Sequence, residues 1–406
     1  MAVTFNDYLK ALQEPVLTPC IRMEWLHADG TVAYEITQDL YNTTGTLNIN
    51  YQAGARRSFN IQIHNADNRY DIVIDKIWFG QQLRLSLGLI IDGEEYFIPQ
   101  GVFYITNPTN IYNPSSRIIQ INCTDKWAYL DGSLFGNLDG IYQVPLNTNI
   151  FTAIKQLLLI EKGNGYPIDS VPPLVNNYFL TKMVTISDGS KVPIINTPYT
   201  LRVERGSTYA DVLLQFNTML AGMIYYNEYG QLIIEPNDYD ILDRNKEVVW
   251  RFNPGNSEMF TKSTEYKFTE MYNDIMTFGA VLNGNLASGR ASNTNIRSDT
   301  CVQRIGYKTK VFEDTNYYAD ELAQNWAEFL LRQYTRLNKS VSLTCSPMYH
   351  LDVNKIIEIT DTDNNYKQEK FLINSLSIPL SYAGSMTINA TSVNDLIYND
   401  DVDLTQ

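Results

Sequence analysis

The chain has 406 residues, a hydrophobic fraction of 44% and a formal net charge of −14, too long for one ordinary core and consistent with roughly two to four domains. No basic run exceeds Arg56-Arg57, and this acidic balance argues against binding of duplex DNA through its phosphates and against adhesion to an anionic membrane. Low-complexity tracts, a secretory signal and a long apolar run are absent from the sequence, so an ordered chain without leader or membrane span is expected.

The first predicted element is an amphipathic helix from Thr4 to Glu14. Thr4 caps it, Phe5, Tyr8, Leu9 and Leu12 share a face, and Pro15 follows. Short strands with turn punctuation then run from about residue 19 to 130, the pattern of an antiparallel sandwich or barrel. In Leu83-Arg84-Leu85-Ser86-Leu87 the leucines share one face, as in a half-buried strand. Asn147 or Asn149 opens a helix carrying Ile150, Phe151, Ile154, Leu157 and Leu158. Tyr166 to Tyr199, rich in Pro, Asn and Ser, reads as a loop-rich excursion. Ser207 opens a helix over Thr208 to Gly222, and a hairpin follows from Met223 to Glu235. Strands are expected at Glu247 to Arg251, Asp274 to Leu282 and Gly306 to Phe312, with a polar, mobile loop from Asn283 to Thr300. The most periodic helix spans Asn316 to Leu337, and the acidic end from Tyr398 to Gln406 is expected to fray.

One feature stands above this inventory. Strands at Phe59–Ile63, Leu83–Leu87, Gly101–Ile105 and Ile118–Cys123 are echoed by Val341–Cys345, Lys355–Ile359, Phe371–Ile373 and Met386–Ala390. An acidic turn, Asp92-Gly93-Glu94-Glu95 or Asp361-Thr362-Asp363-Asn364-Asn365, follows the second strand each time. Three chains with such a repeat could close a ring of six similar positions.

No catalytic set emerges. His27, His64 and His350 lie in unlike contexts, and no H-E-x-x-H, P-loop, G-x-S-x-G or G-x-G-x-x-G occurs. A base at His350 paired with Asp352 can be imagined, but a match two residues apart on an extended segment is unremarkable and makes no persuasive pair. Cys20, Cys123, Cys301 and Cys345 are scattered, which argues against zinc and redox pairs. No metal or cofactor is expected. Asp361 and Asp363 read as a solvated turn rather than a calcium loop, although carboxylates brought together by the fold could still form a hydrolase pair.

Several phrases, taken together, resemble the baseplate hub (tail-tip adaptor) proteins of bacteriophages and phage-tail-like bacteriocins. They are Asp125-Lys126-Trp127-Ala128-Tyr129-Leu130-Asp131-Gly132, Tyr272-Asn273-Asp274-Ile275-Met276-Thr277-Phe278-Gly279-Ala280, Arg304-Ile305-Gly306-Tyr307 and Tyr349-His350-Leu351-Asp352-Val353-Asn354-Lys355-Ile356-Ile357. The resemblance implies a β-rich α+β multidomain chain with two similar antiparallel β-barrel or sandwich tube-like domains and smaller α+β insertions. The implied partition is a helix (1–18), a first tube-like domain (19–131) and a small helical, irregular domain (132–200). A second, discontinuous tube-like domain (201–236 with 301–395), an inserted segment with a mobile loop (237–300) and an acidic tail (396–406) complete it.

The resemblance further implies a non-enzymatic homotrimer of pseudo-sixfold symmetry, assembled in the host cytoplasm and placed at the distal tip of a virion or tail-like particle. It would join a hexameric tail tube to a trimeric spike or fibre and meet other baseplate proteins and the tape measure protein. Three chains would carry about −42 charges, and an acidic lumen would let DNA slide through without specific binding. Arg57, Leu83, Leu85, Leu87 and Trp127 are candidates for ring-forming surfaces. Two other readings stay open: a tail-tip protein that binds a cell-surface polymer through Tyr225, Tyr226 and Tyr229, and a cell-wall hydrolase.

Overall fold

The structure, a computed structural model, describes residues 3–73, 76–113, 116–161, 165–185, 190–237, 246–253, 259–282, 285–336, 339–361 and 367–393. Most of the second acidic turn and the acidic tail lie outside them.

The chain is a β-rich α+β protein built on one 14-stranded, mainly antiparallel sheet with smaller sheets and helices around it. Among the described residues this sheet does not close into a barrel. Alternation sets its faces. In Arg57–His64, residues Arg57, Phe59, Ile61 and Ile63 point inward; in Lys339–Cys345, Val341, Leu343 and Cys345 do so. Each buried strand face is what period-two patterning demands of a sheet with one covered side.

The echo in the sequence is an echo in pairing. Arg57–His64, Gln82–Ile91, Glu94–Ile105 and Ser116–Asp125 form the first repeat, and its first strand pairs with its fourth, the fourth with the third, the third with the second. Lys339–Cys345, Ile356–Asp361, Lys367–Pro379 and Met386–Ser392 pair in the same order, all antiparallel. Registers agree in detail: Ile61 faces Ile121 as Leu343 faces Ile388, and Phe103 faces Asp125 as Phe371 faces Ser392. A further strand flanks each first strand, Leu40–Asn50 in one repeat and Met259–Tyr266 in the other.

The two repeats meet inside the chain. Leu40–Asn50 pairs with the far end of Lys367–Pro379, from Asn50 opposite Ser375 to Thr46 opposite Pro379. Leu47, Ile49, Leu376 and Ile378 are fully buried at this seam, within one apolar core that spans both repeats. Gly45 (φ +154°) ends the seam: a Cβ there would lie 2.1 Å from the Asn60 carbonyl oxygen, and the Gly45 carbonyl accepts the Leu380 amide at 3.0 Å.

A second core gathers Trp127, the helices Ile150–Leu158 and Tyr209–Leu220, and the hairpin Gly222–Tyr226 with Leu232–Pro236. Asn149 caps the first helix, and Thr208 and Asp211 form a capping box on the second. The loop-rich excursion contributes Ile168, Phe179, Val184 and Ile194 to this core. The segment from 201 to 236 therefore packs with the middle of the chain, while Met259–Tyr266 and Val248–Phe252 lie in the large sheet. Between Met259–Tyr266 and its partner Lys339–Cys345 sits an insertion: Asp274–Leu282, Asn285–Ser292 and Thr309–Glu313 form a sheet covered by the helix Asp320–Arg336. The expected mobile loop is thus partly strand. Its remainder is fastened by Asn293, whose amide donates to Ser298 and Thr300 hydroxyls at 2.9 and 3.0 Å.

Candidate functional site

A cleft of about 480 Å³ lies at the meeting of both repeats and the hairpin, lined by Arg56, Arg57, Tyr225, Glu228, His350 and Asp352 among others. The first strand of the first repeat begins with Arg57 in phase with its inward-facing residues, so the guanidinium enters the interior. It donates to the Gln100 carbonyl at 3.1 Å and to Asp352 at 2.6 Å, joining the first repeat to the second. Glu228, on the hairpin turn, lies 4.0 Å away. Asp125 accepts the backbone amides of Arg56, Arg57 and Trp127 at 2.8, 2.9 and 3.1 Å. Burial pushes this carboxyl up to about 6, against the pull of those three amides and of the Arg57 charge. Arg56 stacks on the Tyr225 ring at 3.2 Å.

The N-terminal helix Phe5–Ala11 seals the same junction. The Thr4–Asp7 capping box fixes its start, and Tyr8, fully buried, accepts the Tyr349 amide on its hydroxyl at 2.8 Å. Phe5, Tyr8 and Trp250 surround His350. Burial there pulls its imidazole down to about 4. His350 and Asp352 thus serve different partners, one an aromatic nest and the other Arg57.

The residues singled out from the sequence take these places. Arg57 and Trp127 are 5% and 4% exposed, Leu83 and Leu85 are fully buried and Leu87 is 2% exposed. Within the chain all five are interior: the leucines fill the joint core, Arg57 spans the repeats, and Trp127 packs in the second core. Tyr225 covers Arg56, Tyr226 is buried, and Tyr229 is exposed at the hairpin turn, so the three tyrosines share no surface. All four cysteines are buried thiols. Among the described residues no cluster of three His, Cys, Asp or Glu side chains could hold a metal.

The strand Leu83–Leu87, singled out from the sequence, is paired on both sides, and the free edges lie elsewhere. Among the described residues Met259–Tyr266 ends the large sheet, pairing on one side only. Thr109–Asn113, the continuation of the third strand of the first repeat, pairs among the described residues only with Ser116–Asp125. Both carry exposed aromatics: Phe260 (56%), Tyr266 (55%) and Tyr112 (73%). Unpaired edges bearing aromatics are surfaces that seek a partner.

No protein-family model matches the chain, and no curated protein matches it. Solved structures do. The 43 kDa tail protein of prophage MuSo2 from Shewanella oneidensis is 14% identical, with a TM-score of 0.54 over 91% of this chain and 97% of that one. A tail protein from Neisseria meningitidis is 11% identical, with a TM-score of 0.57 over 92% and 96%. Prophage tail protein gp18 from Listeria monocytogenes is 8% identical, with a TM-score of 0.54 over 91% and 94%. At these identities the likeness is one of fold, and nearly the whole chain takes part: this protein has the fold of phage tail proteins.

Proposed function

We propose that the chain is a structural baseplate hub, three copies of which close into a ring of six similar β repeats at the distal end of a tail. The observation that carries this reading is the shared pairing order of the two repeats, fused edge to edge through the seam at 46–50 and 375–379. A unit with two equivalent halves matches a sixfold tube on one face while keeping threefold symmetry for a trimeric spike or fibre on the other. The tail-protein fold supports the setting. The role is assembly rather than catalysis, in keeping with an Arg57 guanidinium that joins the two repeats through Gln100 and Asp352. Other baseplate proteins and the tape measure protein are the remaining contacts of such a hub. Its charge of −14 per chain suits a lumen through which DNA passes unbound.

Native mass spectrometry of the full chain, with and without purified tube protein, tests this. A three-chain species that captures the tube hexamer is expected. A monomer at all concentrations, without affinity for tube or spike, would overturn it.

A further inference from the structure

Resting on the ring reading, we infer that neighbouring chains join by strand pairing between 263–267 of one chain and 107–111 of the next, antiparallel, in a register copied from the seam within each chain. The inference follows from equivalence. Gly45, Thr46, Leu47, Asn48 and Ile49 face Ile61, Asn60, Phe59, Ser58 and Arg57; Lys262, Ser263, Thr264, Glu265 and Tyr266 face Leu343, Ser342, Val341, Ser340 and Lys339 in the same order. Met259–Tyr266 is therefore the second repeat's counterpart of Leu40–Asn50. The other side of the seam has a counterpart too. Thr109 faces Gln120 as Ser377 faces Thr387, each just past a one-residue slip in its ladder, so 107–111 matches Ser375–Pro379.

Within the chain, the first repeat's flanking strand meets the second repeat's third strand. In a ring of equivalent positions the second repeat's flanking strand must meet the third strand of the next chain's first repeat. Among the described residues both of those edges are unpaired within the chain, as this requires. The register transfers directly: Asn48 opposite Ser377 becomes Glu265 opposite Thr109, and Leu47 opposite Ile378 becomes Thr264 opposite Asn110. The buried quartet Leu47, Ile49, Leu376 and Ile378 becomes Thr264, Tyr266, Pro108 and Asn110. That more polar seam suits an edge that must stay soluble before assembly. Pro108 lacks an N–H, so one rung of this ladder carries a single bond.

The hydrogen bonds show which residues point across the seam. Tyr51 donates to Asn374 and Leu380 donates to Gly45, so odd-numbered residues of Leu40–Asn50 bond across it and Asn48 sits in a non-hydrogen-bonded pair. Glu265 and Thr109 inherit that kind of pair, whose Cα atoms lie about 4.5 Å apart, within disulfide reach. Thr264 inherits an outward-pointing N–H.

The test uses the full chain with Glu265→Cys and Thr109→Cys together, mildly oxidised; the native thiols are all buried. Disulfide-linked dimers and trimers on a non-reducing gel are expected, while either single substitution stays unlinked. Thr264→Pro, which removes only a donor offered to the neighbour, should raise the concentration for half-assembly at least about tenfold, roughly the loss of one or two hydrogen bonds, with the circular dichroism of the monomer unchanged. A trimer by mass that neither cross-links through 109 and 265 nor responds to Thr264→Pro would overturn this inference and leave the hub reading standing. A monomer under all conditions would overturn both.

Discussion

Replacing Arg57 separates the two ways in which it holds the repeats together. Arg57→Met keeps most of the buried stem and removes the charge. The Gln100 carbonyl, accepting at 3.1 Å, then loses its guanidinium donor, at a cost of about 1–3 kcal/mol. The bond to Asp352 contributes less, about 1 kcal/mol or below, because that carboxylate is 30% exposed and water replaces the lost partner. Relief from burying a guanidinium whose Nε has no acceptor offsets about 1 kcal/mol. The net expectation for Arg57→Met is a loss of about 1–2 kcal/mol. Arg57→Ala also strips the two buried methylenes beyond Cβ at roughly 0.8 kcal/mol each, for a total of about 3 kcal/mol. A chain with more than one core need not unfold in one step, so the assay is hydrogen exchange resolved by segment. Amides of 348–353 and 97–101 should lose protection in the order Met then Ala, while the helix Tyr209–Leu220 keeps its own. Unchanged protection at 348–353 in both variants would refute the view that Arg57 fastens the repeats.

Three further outcomes follow from the same junction and from the insertion. His350, neutral in its aromatic nest, takes up a proton only near 4, whereas the unfolded chain does so near 6.5. Its contribution is therefore intact above pH 6.5 and is lost as pH falls through 4, by up to about 3 kcal/mol. In urea titrations at pH 7 and pH 4, His350→Phe should lose less stability on acidification than wild type; an equal loss would contradict the assignment. Tyr8→Phe leaves the Tyr349 amide buried without its acceptor, a cost of about 1–3 kcal/mol, visible as faster exchange of the N-terminal helix. Unaltered exchange there would show that packing alone docks it. Gly289→Val places a Cβ about 2.4 Å from the Gln324 backbone nitrogen, and overpacking of about 1–3 kcal/mol should make the insertion, but not the repeats, more sensitive to limited proteolysis.

Much of this fold was legible because local patterns carry it. Period-two alternation located the strands of both repeats, and cap residues such as Thr4 and Asn149 marked helix starts that the structure retains. Alternation tells which face a residue takes but not which strand lies beside it. The seam between Leu40–Asn50 and Lys367–Pro379, and the parallel pairing of Val248–Phe252 with Ile356–Asp361, therefore had no local signature. The flanking strand of the second repeat was hidden by the insertion that parts Met259–Tyr266 from Lys339–Cys345. Arg57 could have been placed from sequence. It stands two residues before Phe59 and in phase with Ile61 and Ile63, so its inward direction was implied, and only its charge suggested a surface. Tyr8 and His350 owe their burial to contacts across the length of the chain.

The most direct test of the central claim is to image the assembled full chain in projection along its symmetry axis. Three chains forming a closed ring with six similar lobes around an open centre are expected, alternate lobes being distinguishable by the insertion. A ring with three unlike lobe pairs, or an assembly of any other chain number, would contradict the equivalence of the two repeats.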